Sequence, residues 1–173
     1  FATMFVLACG FGLLAGCQTH RAAPVPMVMP ATSTELRAPR PGLYTAGQPA
    51  ADDWAAIAAR GVGTVIDLRA PGELKDRDEA AEVRSAGMRY VAIPVAGAGG
   101  IDDANAKALR AALDAADGPV LVHCASGNRA GGLLALMQAR SGAMTTEQAL
   151  EFGLSAGMAS TEARVRQLLD QQR

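Results

Sequence analysis

Cys124 and Arg129 stand five positions apart in LVHCASGNRAGG (121–132), with Ala125, Ser126, Gly127 and Asn128 between them and His123 just before. An apolar run ends at the cysteine, small and polar residues turn the chain, and a helix-forming stretch opens at the arginine. Such a strand-to-helix loop turns several backbone N–H groups toward one point, and the helix adds the positive end of its dipole there. Gly127 permits the positive φ that such a nest often needs. Arg129 offers a planar fork of donors to two oxygens of an oxyanion. The same surroundings favour a thiolate at Cys124. The chemistry implied is a nucleophile held against a tetrahedral or similar oxyanion.

For a phosphate ester the steps follow. The Cys124 thiolate attacks phosphorus to give a thiophosphate, while the amides of Ala125 to Asn128 and the Arg129 guanidinium hold the equatorial oxygens. A carboxylic acid should protonate the departing oxygen and later activate water. Asp102 and Asp103 are the candidates, placed after the glycine-rich AGAGG segment that could hinge as a lid; helix capping suits them equally well. Asp67 is the other candidate for the acid, though its position inside an apolar strand favours a structural role. His123 either orients the loop and tunes the thiol or is a hydrogen-bonded core histidine. It is not expected to ligate a metal, since the other histidine, His20, lies far off in a tether-like stretch and no second thiol is left for a zinc site. No cofactor is expected.

The rest of the chain frames this loop. With 173 residues, half of them apolar, it supports one domain with a real core. The net charge of −1 gives no basis for binding nucleic acid. Phe1 to Gly16 is an apolar, small-residue run that reads as an export signal already under way at the first residue. Leu14-Ala15-Gly16-Cys17 resembles a bacterial lipobox, which implies lipidation of Cys17 and a membrane anchor in the bacterial cell envelope, facing the periplasm. Residues 17–41, rich in proline and lacking any period, read as the lidipated Cys and a flexible tether, and residues 42–173 as the domain. Of three cysteines, Cys9 leaves with the signal and Cys17 carries lipid, so Cys124 stays unpaired in an oxidising compartment, where thiols in small domains usually pair.

Within the domain, short apolar runs (LYTA, GTVIDLR, RYVAIPV, GPVLVHC) alternate with helical patterns over AADDWAAIAARG, RDEAAEVRSAG, the stretch after Asp102-Asp103 and RAGGLLALMQAR. Thr145 with Gln148 forms a capping box for a further helix, and STEARVRQLLDQQ closes the chain. Strands alternating with helices predict an α/β fold with a mostly parallel sheet covered on both faces. Ligands of such sheets sit beyond the carboxyl ends of the strands, where Cys124, Arg69 and the segment after Pro94 should converge.

LYTAGQPAADDWAAIAARGVGTVIDLRAPGE, GMRYVAIPVAG and GPVLVHCASGNRAGGLLAL together resemble the bacterial tyrosine-phosphatase-like family, known from the phosphatase-like domain of beta-lactamase hydrolase-like proteins. The resemblance runs from about Gly42 to Ala139. It implies a three-layer cysteine-phosphatase fold with a sheet of about four strands, Cys124 as nucleophile, Arg129 as phosphate binder and a phosphorylated substrate. Two features depart from typical tyrosine and dual-specificity phosphatases: four residues rather than five separate Cys124 from Arg129, and Ala130 stands where Ser or Thr helps the thiolate leave. The shorter loop also resembles that of rhodanese-type sulfurtransferases, which would carry a persulfide on Cys124. A non-catalytic oxyanion-binding module is the third reading.

Overall fold

The structure is a computed structural model that describes residues 31–171. The expected signal segment and the lipidation site Cys17 lie outside the described residues. Among the described residues no helix is long and apolar enough to cross a membrane.

Five strands form one sheet in the order β1-β2-β5-β3-β4: β1 (Arg37–Arg40), β2 (Leu43–Ala46), β5 (Val120–His123), β3 (Thr64–Asp67) and β4 (Arg89–Ala92). β2, β5, β3 and β4 run parallel, as the alternating pattern requires, and β1 is an antiparallel edge. β1 falls inside the 17–41 stretch expected to be a tether. Its Pro39 hides it from a strand pattern, yet an edge strand has one row of backbone groups outside the ladder and accommodates a proline there.

The central strands carry β-branched and leucine residues on both faces, as expected of a doubly covered sheet. Val65 and Leu121 point to a smaller layer, where α1 (Trp54–Ala59) and α2 (Glu79–Ser85) bury Trp54, Ile57 and Val83 against them. Ile66, Val120 and Val122 point to the larger layer, built from α3 (Asp103–Asp114), α4 (Asn128–Arg140), α5 (Thr146–Ser155) and α6 (Glu162–Asp170). Every residue of α4 from Arg129 to Gln138 is buried, so this helix runs through the core rather than over it. Its Gly131 lies so close to α5 that a Cβ there would collide with the backbone of Gly153 and Met158. Thr145 and Gln148 form the capping box expected of α5.

The register decides what meets at the carboxyl edge. Ala46 and Asp67 both lie level with His123, and Ala92 lies level with Asp67. Gly47, Cys124, Leu68 and Ile93 therefore leave the sheet along one line, with Cys124 on the innermost strand.

Candidate active site

β5 delivers Cys124 to the sheet edge, and the chain turns at once into α4. Gly127, at φ 85°, is the N-cap of that helix, and its left-handed backbone turns its N–H back onto the Cys124 Sγ at 3.1 Å. The thiol is fully buried and is the one free cysteine among the described residues. The amides of Ala125, Ser126, Asn128 and Arg129 have no protein acceptor among the described residues, and they sit at the positive end of a 13-residue helix. The outer side of the loop rests on the end of β2, where the Gln48 N–H donates to the Ala125 carbonyl at 3.1 Å.

Arg129, in the first turn of α4, is almost wholly buried and held by two elements remote in sequence. Glu73 meets it end-on, with Nη1 to Oε1 at 2.6 Å and Nη2 to Oε2 at 2.5 Å, and Nη1 also donates to the Val95 carbonyl at 2.8 Å. A guanidinium has five N–H bonds. These three contacts occupy Nη1 and the inner hydrogen of Nη2, leaving Nε–H and the other Nη2–H side by side on one edge. That edge is the bidentate fork an oxyanion needs. The Glu73 hydrogen bonds raise the Arg129 pKa, burial opposes them, and the neighbouring Cys124 sulfur adds to the rise. Arg129 in turn holds the Glu73 carboxyl below its usual range.

A cavity of about 280 Å³ opens over this pair. Gly97 and Ala98 wall one side, Ser126, Asn128 and Arg129 come from the loop, Ser160 and Thr161 close the far side, and Glu73 stands at the rim. Asn128 fixes the far wall: its Nδ2 donates to Ser160 Oγ at 2.7 Å, and its Oδ1 accepts from the Ala159 and Thr161 amides at 2.8 and 3.1 Å.

Asp102 and Asp103 do not line this cavity. Asp102 is the N-cap of α3, accepting from the Asn105 amide at 2.8 Å. Asp103 pairs with Arg140 Nε at 2.6 Å beside a different cavity. The structure shows Asp102 in the capping role that the sequence offered beside the acid, and Asp103 in an ion pair. Capping and acid catalysis recruit the same residue type after a glycine-rich turn, and here the capping use is the one realised.

His123, fully buried, lies beneath the loop in a charged cluster. Its Nε2 is 2.9 Å from Glu79 Oε1 and its ring meets Trp54 edge-on, with centroids 6.3 Å apart. Arg69 bridges the same carboxylates, donating Nε and Nη2 to Asp67 at 2.9 and 2.7 Å and approaching Glu79 at 2.9 Å. The Tyr90 hydroxyl donates to Asp67 at 2.7 Å, and Gln48 Nε2 donates to Glu79. Burial alone would raise the Asp67 pKa; the hydrogen bond from Arg69 and the charge of His123 outweigh it and lower the pKa. Burial, with the bond to Asp67, pushes Tyr90 up. Ligand atoms of Asp67, Glu79 and His123 lie within 4.8 Å of one another, a spacing that suits a cation, but the Arg69 guanidinium already supplies the positive charge between the two carboxylates. Arg69 thus belongs to the buried charged cluster with Asp67 and Glu79, and it lines a separate cavity of about 330 Å³ that takes in no residue of the Cys124 loop.

Comparison with known proteins agrees with this geometry. The family model described as the phosphatase-like domain of beta-lactamase hydrolase-like protein matches residues 35–141. A beta-lactamase hydrolase-like protein of Xylella fastidiosa is 36% identical over 119 residues, covering 66% of this chain and 27% of that protein, and one from Agrobacterium fabrum is 34% identical over the same length. The chain thus spans about a quarter of the curated relatives it matches. Among solved structures, a candidate phosphatase from Neisseria meningitidis superposes with a TM-score of 0.67 at 25% identity, over 79% of this chain and 97% of that one. TpbA of Pseudomonas aeruginosa, solved in complex with phosphotyrosine, superposes with a TM-score of 0.60 at 25% identity, over 79% of this chain and 87% of that one.

Proposed function

The chain belongs to the family of beta-lactamase hydrolase-like phosphatase-like domains, and from that premise we propose that it hydrolyses phosphate monoesters through a thiophosphate on Cys124. The observation that carries this reading is the joint placement of Cys124 and Arg129. One short loop brings the sulfur against the Gly127 amide and leaves the Nε–Nη2 edge of Arg129 open beside a ring of unpaired amides. In this reading Cys124 Sγ attacks phosphorus, and the free amides of Ala125, Ser126, Asn128 and Arg129 with the Arg129 side-chain edge take up the charge on the equatorial oxygens, while the Gly127 amide stays on the sulfur. Glu73 and Val95 position Arg129 without touching substrate. His123, Arg69, Asp67 and Glu79 hold the carboxyl edge of the sheet beneath the loop.

The phosphotyrosine bound by TpbA supports a phosphorylated ligand for this chain as well. The lipobox-like Leu14 to Cys17 supports a membrane anchor in the bacterial cell envelope, which incorporation of labelled fatty acid, lost in Cys17→Ala, would test.

The deciding assay is release of phosphate from p-nitrophenyl phosphate by the reduced protein beside its Cys124→Ser variant, with thiosulfate-to-cyanide sulfur transfer run in parallel. Phosphate release abolished in the variant supports the reading. Sulfur transfer without phosphate release would replace it with a sulfurtransferase, and inorganic phosphate bound without turnover would make the domain an oxyanion-binding module.

A further inference from the structure

Every aspartate and glutamate of the chain lies within the described residues, so every side-chain carboxyl has a known position. Of the 17, Glu73 alone lines the cavity formed by Arg129 and the Ser126 and Asn128 side of the Cys124 loop. Both of its oxygens are taken up by Arg129, so it carries no proton to give. Asp102 and Asp103 are engaged in a helix cap and an ion pair elsewhere. The segment before α3 that walls the cavity contributes Gly97 and Ala98, neither of which bears a titratable group. No histidine, lysine or tyrosine lines the cavity among the described residues.

On the far side of the reaction the same shortage recurs. Ala130, buried behind the loop, has no hydroxyl to assist the sulfur when it leaves phosphorus.

Resting on the phosphatase reading, we propose that this site works without a general acid and is therefore selective for phosphoryl donors whose leaving group departs as a stable anion: aryl phosphates with acidic phenols, and acyl phosphates. In the first step the Sγ–P bond forms as the P–O bond breaks, and the electron pair leaves on oxygen as a phenolate or carboxylate that needs no proton. In the second step water attacks phosphorus, the S–P bond breaks, the thiolate is restored, and the proton of the water passes to solvent. With no base and no hydroxyl behind the sulfur, the second step is the slow one and the thiophosphate accumulates. A serine-type phosphate ester, whose alkoxide is a far worse leaving group, is a poor substrate. The polar rim of Ser126, Ser160 and Thr161 adds no aromatic wall to compensate for that chemistry by binding.

The test is kcat/KM of the reduced full chain for acetyl phosphate, a series of aryl phosphates of decreasing phenol acidity, and O-phosphoserine, with acid-quenched protein weighed for a phosphate adduct on Cys124. General acid catalysis is worth roughly 10²–10⁴-fold, so kcat/KM should fall steeply along the aryl series and be at least about a hundredfold lower for O-phosphoserine. A burst of phenol with an adduct that Cys124→Ser lacks is the expected companion. Ala98→Asp, which places a carboxyl on the cavity wall, should raise hydrolysis of the poorest leaving groups selectively and bring in a loss of activity at high pH. O-phosphoserine cleaved within tenfold of the best aryl ester would overturn the inference while leaving the phosphatase reading intact. So would a selective loss on poor leaving groups in Asp102→Asn, which keeps the cap and removes the acid. No phosphate from any donor and no adduct on Cys124 would overturn the inference and the phosphatase reading together.

Discussion

Glu73 and Arg129, 56 residues apart in the chain, meet end-on through both carboxylate oxygens and both terminal nitrogens. The contact sets the plane of the guanidinium, and with the Val95 carbonyl it decides which edge of Arg129 faces the Cys124 loop. A long arginine side chain loses much rotamer freedom when it binds an oxyanion; an arginine already clasped has lost it in advance.

Glu73→Gln should therefore weaken the reaction without unfolding the domain. Hydrogen bonds to charged groups are worth about 1.5–3 kcal/mol, so kcat/KM should drop by roughly ten- to a hundredfold, since each 1.4 kcal/mol is tenfold. The clasp also has a pH signature. Arg129 holds the Glu73 pKa below its ordinary value, so the stabilisation is complete above the ordinary carboxylate range and is lost as pH falls through the lowered value. The ratio of wild-type to Glu73→Gln phosphate affinity, in which the titration of phosphate itself cancels, should fall on the acid side; titration calorimetry with inorganic phosphate reads it.

Gly127→Ala probes the turn. At φ 85° a side chain is strained, and the added Cβ would lie 3.4 Å from the Ala46 carbonyl oxygen and from Arg37 Nη1. The left-handed conformation costs a residue with a side chain roughly 1–2 kcal/mol, which should appear as lowered stability in urea. Relief of that strain by rotating the turn would carry the Gly127 N–H off the sulfur, so activity should fall by more than the stability loss alone explains.

What could be read from the sequence is what is local in it. Cys124, Gly127 and Arg129 lie in one loop between a strand and a helix, and the parallel sheet places that loop where the alternation predicts. Glu73 is not legible in the sequence, because its role depends on a contact across the fold and a charged residue in an exposed-looking PGE loop carries no local sign of it. The backbone amide of Asn128 belongs to the loop the sequence marks, but its side chain's tie to Ala159, Ser160 and Thr161 depends on a distant segment and has no local sign. β1 was hidden by Pro39 in a proline-rich stretch. Asp102 was ambiguous in principle, since a cap and an acid look alike until their neighbours are known.

Arg69 should prove to be the brace under the site. It pairs with Asp67 and Glu79, all three side chains being 6% exposed or less. Arg69→Met removes the cation and leaves two buried carboxylates facing each other beside His123. Breaking a buried pair from one side costs about 3–5 kcal/mol, so the variant should unfold at markedly lower urea concentration. Replacing Arg89, whose exposed side chain donates only to the Ala115 carbonyl, should change stability by less than about 0.5 kcal/mol and serves as the control.

Asp53 tests where the domain begins. Its carboxylate accepts from the Ser33 and Thr34 amides at 2.7 and 3.0 Å and from the Ser33 hydroxyl, so it ties the residues before β1 to the start of α1. Burial opposes its ionisation, but the bonds from Thr34 and Ser33 prevail and hold its pKa at about 2, against an ordinary value of 3.8. At about 1.4 kcal/mol per pH unit, that gap makes the ionised form worth about 2 kcal/mol of stability. The sign follows from the depressed value: the contribution is fully present above about pH 4 and disappears as pH falls toward 2. Asp53→Asn should accordingly be about 2 kcal/mol less stable than wild type at pH 7, with the two unfolding curves converging near pH 2. A chain cut to start at Gly42 removes β1 along with every Ser33 and Thr34 donor, so Asp53, 4% exposed in the intact fold, loses most of its partners and part of the chain that covers it. That truncation should be less stable than Asp53→Asn at neutral pH, because it loses the edge strand as well as the carboxylate's bonds. Equal stability of the Gly42 chain and the full one would mean that the segment before Gly42 is a tether after all.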